Sequence, residues 1–517
     1  MKILKVQSFN KKDSMCGRIS LILLSLTRKY HYAVIPAGRK PESSFSEKAM
    51  DSRSTDCGND GHRLFLCSFV RQDSCRFPLV GNPSSIQKDF GRAGMTDLIR
   101  SLKLAGLLIF LLTAHCLLPA FADAKVYIDI SSPGSKKMPI AIELSGPSGK
   151  EMSDVVKNDL EFTGLFAYVD RAAYLENPAQ PFNPRNWTPI GVEAVVKGTV
   201  TEGKDLSITA SLYDVFEGKE IFRKEYRAER GLIRPLSHSI ANDIYYALTG
   251  EAGIFRSRIA FVGDDRGEKS IYIGDWDGNR MMKTGLKGNI ILTPHWSKNG
   301  VKLVYSAERN RQWGIYLLEF TNMRERKVFS SRGTNIAGDF TPEGDEITFS
   351  SSKDGTPDIY SMNLANNKIK KLTSSYGIEV SPAVSPDSRY VAFVSDRGGS
   401  PQIYVMRKDG SDVRRITFEG SYNTSPSWSP KGDKIVFSGR RGTNQIFIVN
   451  PDGTGLTQLT SQGNNEDASF SPDGRYVTFS SDRDGVKGIY LMRASGESQR
   501  RITPRNLKAY GPGWSPN

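Results

Sequence analysis

The chain has no cysteine after residue 116: all five (Cys16, Cys57, Cys67, Cys75 and Cys116) precede the last 401 residues. That distribution excludes disulfide scaffolds, thiolate metal centres and thiol nucleophiles from most of the protein, and it suits an oxidising compartment. Histidine is almost as scarce, with five in 517 residues and only His238 and His295 beyond position 122. A lone histidine in such a setting is ordinarily a packing or hydrogen-bonding residue. No Gly-x-Ser-x-Gly elbow, His-Glu-x-x-His helix or phosphate-binding Gly-Lys-Ser/Thr loop occurs, so the common hydrolase, metalloprotease and nucleotide chemistries lack their residues. Long apolar runs are also missing, apart from one between Leu104 and Leu118.

That run follows Met95 and the basic residues Arg100 and Lys103, and ends in Pro119-Ala-Phe-Ala122. A basic start, an apolar stretch too short to span a bilayer comfortably and an Ala-x-Ala site are the three parts of a secretory signal peptide, with cleavage expected after Ala122. Residues 1–94 lie upstream of a signal that should begin at its own methionine, and read as a start-site artefact or a disordered extension. The formal charge of the whole chain is +14. Residues 123–517 keep only +5 of it, too little on a body of that size to argue for nucleic acid.

A repeat dominates what remains. Six segments align: Pro294-His-Trp-Ser-Lys-Asn-Gly300, Gly338-Asp-Phe-Thr-Pro-Glu-Gly344, Pro382-Ala-Val-Ser-Pro-Asp-Ser388, Pro426-Ser-Trp-Ser-Pro-Lys-Gly432, Ala468-Ser-Phe-Ser-Pro-Asp-Gly474 and Pro512-Gly-Trp-Ser-Pro-Asn517. Their large apolar residues, Trp296, Phe340, Val384, Trp428, Phe470 and Trp514, are 44, 44, 44, 42 and 44 residues apart. Ser-Pro-Asp-Gly is a tight turn, proline presetting φ and glycine taking the left-handed end. Alternating strands flank it, as in Tyr390-Val-Ala-Phe-Val-Ser395, and further strands end in Leu372-Thr373, Ile416-Thr417 or Ile502-Thr503. Four strands per unit at this period predict a six-bladed β-propeller over residues 253–517. The first unit lacks its opening strand and the last seven residues supply one, so the C-terminal strand should close the first blade and remove the exposed edges of an open arc.

Residues 123–252 read as a small α/β N-terminal domain. Strands are expected at 140–144, 166–169, 194–200, 206–213 and 220–226. One helix should start at Ser153, and another should run from Pro235 to Leu248 with Gly250 as its stop. The segment 123–134 alternates like a strand at a freshly cut terminus and could add to another protein's sheet edge. The Asp396-Arg397 and Asp482-Arg483-Asp484 turns read as hairpin turns with charges in water, and no cofactor or metal is expected.

The loops entering each blade should converge at one mouth of the axial channel. Asparagine, isoleucine and tyrosine interleave there, which suits a protein or peptide surface. By loop position the contact residues are Asn289, Ile290, Asn335, Ile336, Glu379, Tyr422, Asn423, Asn465, Glu466 and Lys508.

A signal peptide, a small α/β domain with the passage Ala241-Asn-Asp-Ile-Tyr-Tyr-Ala-Leu-Thr-Gly-Glu-Ala-Gly-Ile-Phe-Arg-Ser-Arg-Ile259, and six Trp-Ser-Pro-Asp-Gly-type repeats together resemble the TolB family of the Gram-negative Tol-Pal system. The resemblance covers residues 95–517. It implies a non-enzymatic, monomeric periplasmic adaptor, not inserted in a membrane after processing, that maintains the outer membrane and supports cell division. The channel-mouth loops would bind the lipoprotein Pal. The mature N-terminus, with Asp123, Lys125, Val126, Tyr127, Ile128, Asp129 and Ile130, would bind TolA, and its displacement when Pal binds would couple the two. Ser388, Lys298 and Val384 depart from the repeat. The other readings are a periplasmic propeller that binds a sugar or metal, and the propeller part of a peptidase.

Overall fold

A computed structural model describes residues 136–292 and 294–516. The expected signal segment 95–122 with its cleavage after Ala122, the upstream 1–94 and the TolA-binding segment 123–130 lie outside the described residues. No helix among the described residues is long and apolar enough to cross a membrane.

The first region is a five-stranded mixed sheet with two helices on one face. Its strands are β1 (Met138–Ser145), β2 (Phe166–Tyr168), β3 (Ala194–Glu202), β4 (Asp205–Asp214) and β5 (Lys219–Glu229), in the order β2-β1-β3-β4-β5. β1 runs parallel to both β2 and β3, and the rest is antiparallel. Alternation decides the faces. Leu206, Ile208, Ala210 and Leu212 of β4 turn to the helices α1 (Gly149–Thr163) and α2 (Ile233–Thr249) and are buried. On the other face Ala141 and Val195 pack under Trp187, carried by a loop with short 3₁₀ turns.

Helix α1 begins four residues before the expected Ser153. Gly149 opens it, and Ser153 is instead an interior residue whose hydroxyl accepts the Leu144 N–H (3.2 Å), tying helix to strand. The N-cap preference of serine misleads here because a buried hydroxyl found a backbone donor on a neighbouring strand. Helix α2 does end at Gly250, whose φ of 73° and N–H bond to the Tyr246 carbonyl (2.8 Å) form a left-handed cap.

The second region is a six-bladed propeller. The C-terminal strand Lys508–Trp514 pairs antiparallel with β6 (Arg258–Asp265), followed outward by β7 (Glu268–Asp275) and β8 (Met282–Lys287), so the two chain ends share the first blade as expected. The other inner strands are Asn335–Phe340, Glu379–Val384, Asn423–Trp428 and Asn465–Phe470. The second blade's is split into Ile290–Ile291 and His295–Trp296. Of the ten residues placed on the entering loops by position, all but Asn289 and Tyr422 therefore already belong to strands.

The repeated residues each have a mechanical task. The aromatic position fills the wedge toward the neighbouring blade, and its indole N–H finds a partner there: Trp428 donates to the Ala383 carbonyl (3.0 Å) and Trp296 to that of Gly513 (3.1 Å). In the third to sixth blades the threonine closing the fourth strand accepts a backbone N–H of the third: Thr373 from Ile359, Thr417 from Ile403, Thr460 from Ile446 (2.9 Å each), and Thr503 from Ile489 (3.0 Å). Cross-strand rings recur as well, Phe261 with Tyr272, Phe349 with Tyr360, and Phe479 with Tyr490, at 5.5 to 5.8 Å between centroids.

Five separate apolar clusters fill five of the wedges. The wedge between the sixth and first blades is different: Trp276, Tyr476, Ile489 and Trp514 belong to one cluster with Leu160 and Ile244 of the α/β region and Phe255 of the connection. The two regions thus share a core.

Candidate functional site

Each inner strand starts beside the end of the second strand of its blade, for example Asn335 opposite Ser351 and Glu379 opposite Ser395. The blade-entering loops and the turns between second and third strands consequently lie on one face of the propeller. The α/β region holds the opposite face. Arg475, which follows the sixth blade's Ser-Pro-Asp-Gly turn, pairs with Glu251 (2.6 Å) and bonds Tyr245, while Arg234 of α2 pairs with Asp277 after β7. The entering-loop face is left uncovered by the described residues.

The ten residues chosen by position divide sharply on that face. Asn335, Glu379, Asn423 and Asn465 are buried, and their side chains are engaged inside the protein. Asn423 Nδ2 donates to Gln402 Oε1 (2.7 Å) and the Glu419 carbonyl (2.9 Å), and Asn465 repeats the pattern on Gln445 (2.8 Å) and Gln462 (2.9 Å). Asn335 joins Ser331 and Ser351 (2.7 Å each), and Glu379 accepts from Ser375 (2.9 Å) and Arg397. The three asparagines brace the strand start against the preceding blade, and Glu379 ties it to the Arg397 turn of its own blade.

The remaining six reach the surface to different degrees. Asn289, Ile290, Tyr422 and Lys508 are exposed, while Ile336 and Glu466 are half-buried. Glu466 accepts from Asn444 (2.6 Å) and pairs with Lys487. The Arg440 guanidinium lies 4.8 Å from the Tyr422 ring centroid.

Three exposed apolar residues on the same loops were not among the ten: Tyr376 (84%), Phe418 (70%) and Ile378 (48%). Tyr376 is held outward, its hydroxyl donating to the Arg397 carbonyl (2.7 Å), and the Arg415 guanidinium stacks 5.0 Å from the Phe418 ring. A signal for them was present. They break the repeat, since Tyr376 aligns with Arg332 and Gly420, and Phe418 with Ser374 and Ser461.

The Asp-Arg turns are not simply solvated. Asp396 accepts the Ile378 N–H (2.7 Å), and Asp482 the Asn464 N–H (2.7 Å), holding its carboxyl below the usual range. Arg397 and Arg483 lie over the rings of Tyr404 (5.4 Å) and Tyr490 (4.9 Å). The result is a rim of ordered guanidiniums and exposed apolar side chains around the channel mouth, the residue types that concentrate binding energy at protein interfaces. His295 accompanies it on an inner strand, its Nδ1 2.7 Å from Asp339 of the next blade.

A model of the TolB beta propeller domain matches residues 245–517, and one of the TolB amino-terminal domain matches 126–221. The chain belongs to the TolB family. The Tol-Pal system protein TolB of Geobacter sulfurreducens is 44% identical over 404 residues, which cover 76% of this chain and 93% of that protein. The corresponding protein of Desulfosudis oleivorans is 36% identical over 242 residues, 44% of this chain and 55% of that one. Among solved structures, TolB from Acinetobacter baumannii superposes with a TM-score of 0.66 at 27% identity, covering 74% of this chain and 98% of that one.

Proposed function

We propose that the chain is a non-enzymatic periplasmic adaptor of the Tol-Pal system, whose entering-loop face captures Pal and whose segment 123–130 engages TolA, in the service of outer-membrane integrity and division. The observation that carries the first contact is the uncovered rim of Tyr376, Ile378, Phe418, Tyr422 and Ile290 on the face opposite the α/β region. Family membership supports the system, and the signal-like segment 95–122 supports export. Direct contact belongs to the exposed residues, Asn289, Ile290, Tyr422 and Lys508 with Ile336 and Glu466 at the edge. Asn335, Glu379, Asn423 and Asn465 act by holding the loops in shape.

Affinity capture from detergent-solubilised envelope tests both contacts. Pal copurifies with the intact protein, and the Tyr376→Ala, Tyr422→Ala double variant recovers at least about tenfold less, as for central aromatic anchors. Deleting 123–130 removes TolA and spares Pal. Failure of Pal to copurify with the intact protein ends the adaptor reading.

A further inference from the structure

One cluster of ionisable groups lies far from the loop face and plays no part in it. Helix α2 carries Arg234 and His238, four residues apart and so on one face, toward the turn that follows β7. His238 is buried, and its Nδ1 is 2.6 Å from Asp159 Oδ2 of α1. That bond fixes the ring so that Nε2 faces the propeller, where Asp275 Oδ2 is 3.8 Å away and Asp277 Oδ2 4.0 Å. Neither His238 Nε2 nor Asp275 Oδ2 has a hydrogen-bond partner, and both atoms are shut off from solvent. Two unpartnered buried polar atoms face each other across a gap slightly too long for a hydrogen bond.

We propose that His238 is a proton-operated latch between the α/β domain and the propeller: a proton on Nε2 closes the gap to Asp275 and Asp277 and draws α2 onto the turn after β7, and its loss releases them. With Nε2 bare, a lone pair confronts two carboxylates. With Nε2 protonated, an N–H faces them and the buried orphans satisfy one another. Arg234 and Asp277 form the permanent half of the same contact. The turn cannot retreat freely, because Trp276 is buried against Phe162 of α1 and Phe255 of the connection (4.7 and 5.7 Å between centroids).

The surrounding charges favour a proton over a metal ion. Facing the imidazole are Asp159 from α1, Arg234 from its own helix, and Asp275, Asp277 and Arg280 from the turn. Arg258 of β6 acts on Asp275, and Arg500 of the sixth blade on Asp277 and Asp159. Four guanidiniums against three carboxylates leave no excess negative charge to hold a divalent cation, and Nδ1 is already committed to Asp159. Burial alone would lower the basicity of His238. The Asp159 hydrogen bond and the charges of Asp159, Asp277 and Asp275 outweigh it and hold the imidazolium above its ordinary range. A folded-state affinity above the unfolded one gives stability that is complete below about pH 6.5 and lost as pH rises through the folded value. The buried carboxyls of Asp159 and Asp275 are also raised, chiefly by desolvation, and act with the same sign.

The latch is independent of which partners dock. Three measurements on the purified full chain test it: an NMR titration of the histidine rings, thermal unfolding between about pH 5.5 and pH 8.5, and limited proteolysis of the connection 250–257. His238 titrates above its ordinary value, the unfolding midpoint falls by several degrees through that titration, and cleavage of the connection quickens severalfold. His238→Gln reduces both pH dependences to the part carried by the raised carboxyls, and Asp275→Asn moves the His238 titration to lower pH by about one unit. A ring that titrates below its ordinary value overturns the proposal. So does a pH slope undiminished in His238→Gln, or a midpoint that EDTA lowers and zinc restores. Where His238→Gln does not fold, the ring titration of the wild type and Asp275→Asn decides.

Discussion

The α/β region and the propeller solve the problem of buried polar groups in opposite ways. The propeller relies mainly on neutral groups that recur from blade to blade, a threonine hydroxyl on a backbone N–H, an Asn–Gln pair at the strand start, an indole N–H on a carbonyl, with the buried carboxylates Glu379 and Asp358, paired to Arg397 and Lys371, as exceptions. The α/β region uses ions, each once. Lys197 bridges Glu176 (2.5 Å) and Glu143 (3.5 Å) beneath the Trp187 loop, and His238 joins Asp159. A device reused in several blades has to be compatible with each of them, which favours small neutral groups whose partners are local. A single domain can gather charges from distant parts of the chain, and it then depends on each of them.

Breaking closure should have the largest effect. Deleting residues 510–517 removes most of the inner strand of the first blade, including Trp514, which is buried in the shared core and donates to Ser257 Oγ (2.7 Å). Losing one buried tryptophan costs about 3–5 kcal/mol, and the truncation also opens the ladder on β6. Urea denaturation should show no cooperative transition at the wild-type midpoint, with both regions affected because they share that core. A truncated protein that melts as the wild type does would mean the ends are not joined.

Lys197→Met comes next and probes the ionic half of the comparison. It leaves Glu143 and Glu176 buried without their cation, and should destabilise by about 3–5 kcal/mol at neutral pH. Burial already holds the Glu143 carboxyl above its usual range despite Lys197. Without the lysine it should take up a proton more readily still, so the deficit narrows as pH falls. A deficit independent of pH would show that lost packing, not uncompensated charge, is responsible.

The smallest effect sharpens the neutral half. Ser388 occupies the turn position that is glycine in four of the other units and adopts a φ of 60°. Its hydroxyl bonds Glu343 (3.0 Å) at the exposed rim. Ser388→Gly relieves the left-handed strain, loses a solvent-exposed contact and loosens the unfolded chain, for a net stabilisation of about 0.5 kcal/mol. A loss of stability would assign the larger share to the Glu343 contact.

What was legible in the sequence follows from the same contrast. The blade count, the closing strand and the wedge aromatics could be read because a mechanical task performed six times leaves a period. That period also misled. Asn335, Asn423 and Asn465 recur at the loop positions, and this made them look like a binding surface. They recur because in these three blades an asparagine braces the strand start against its neighbour, so they are buried. Tyr376, Phe418 and Tyr422 interrupt the period and are the ones left exposed. In this propeller, departure from the repeat is the better sign of an exposed loop side chain.

The sequence by itself determined the order of the parts, since strand alternation, turn chemistry and spacing are local properties that a chain carries into any context. Only the tertiary structure decided which polar residues are buried, which face of the disc the α/β region covers, and that residues 159, 238, 275 and 277 meet at one buried point. Those facts depend on separations in space between segments far apart in the chain, and no periodicity encodes them.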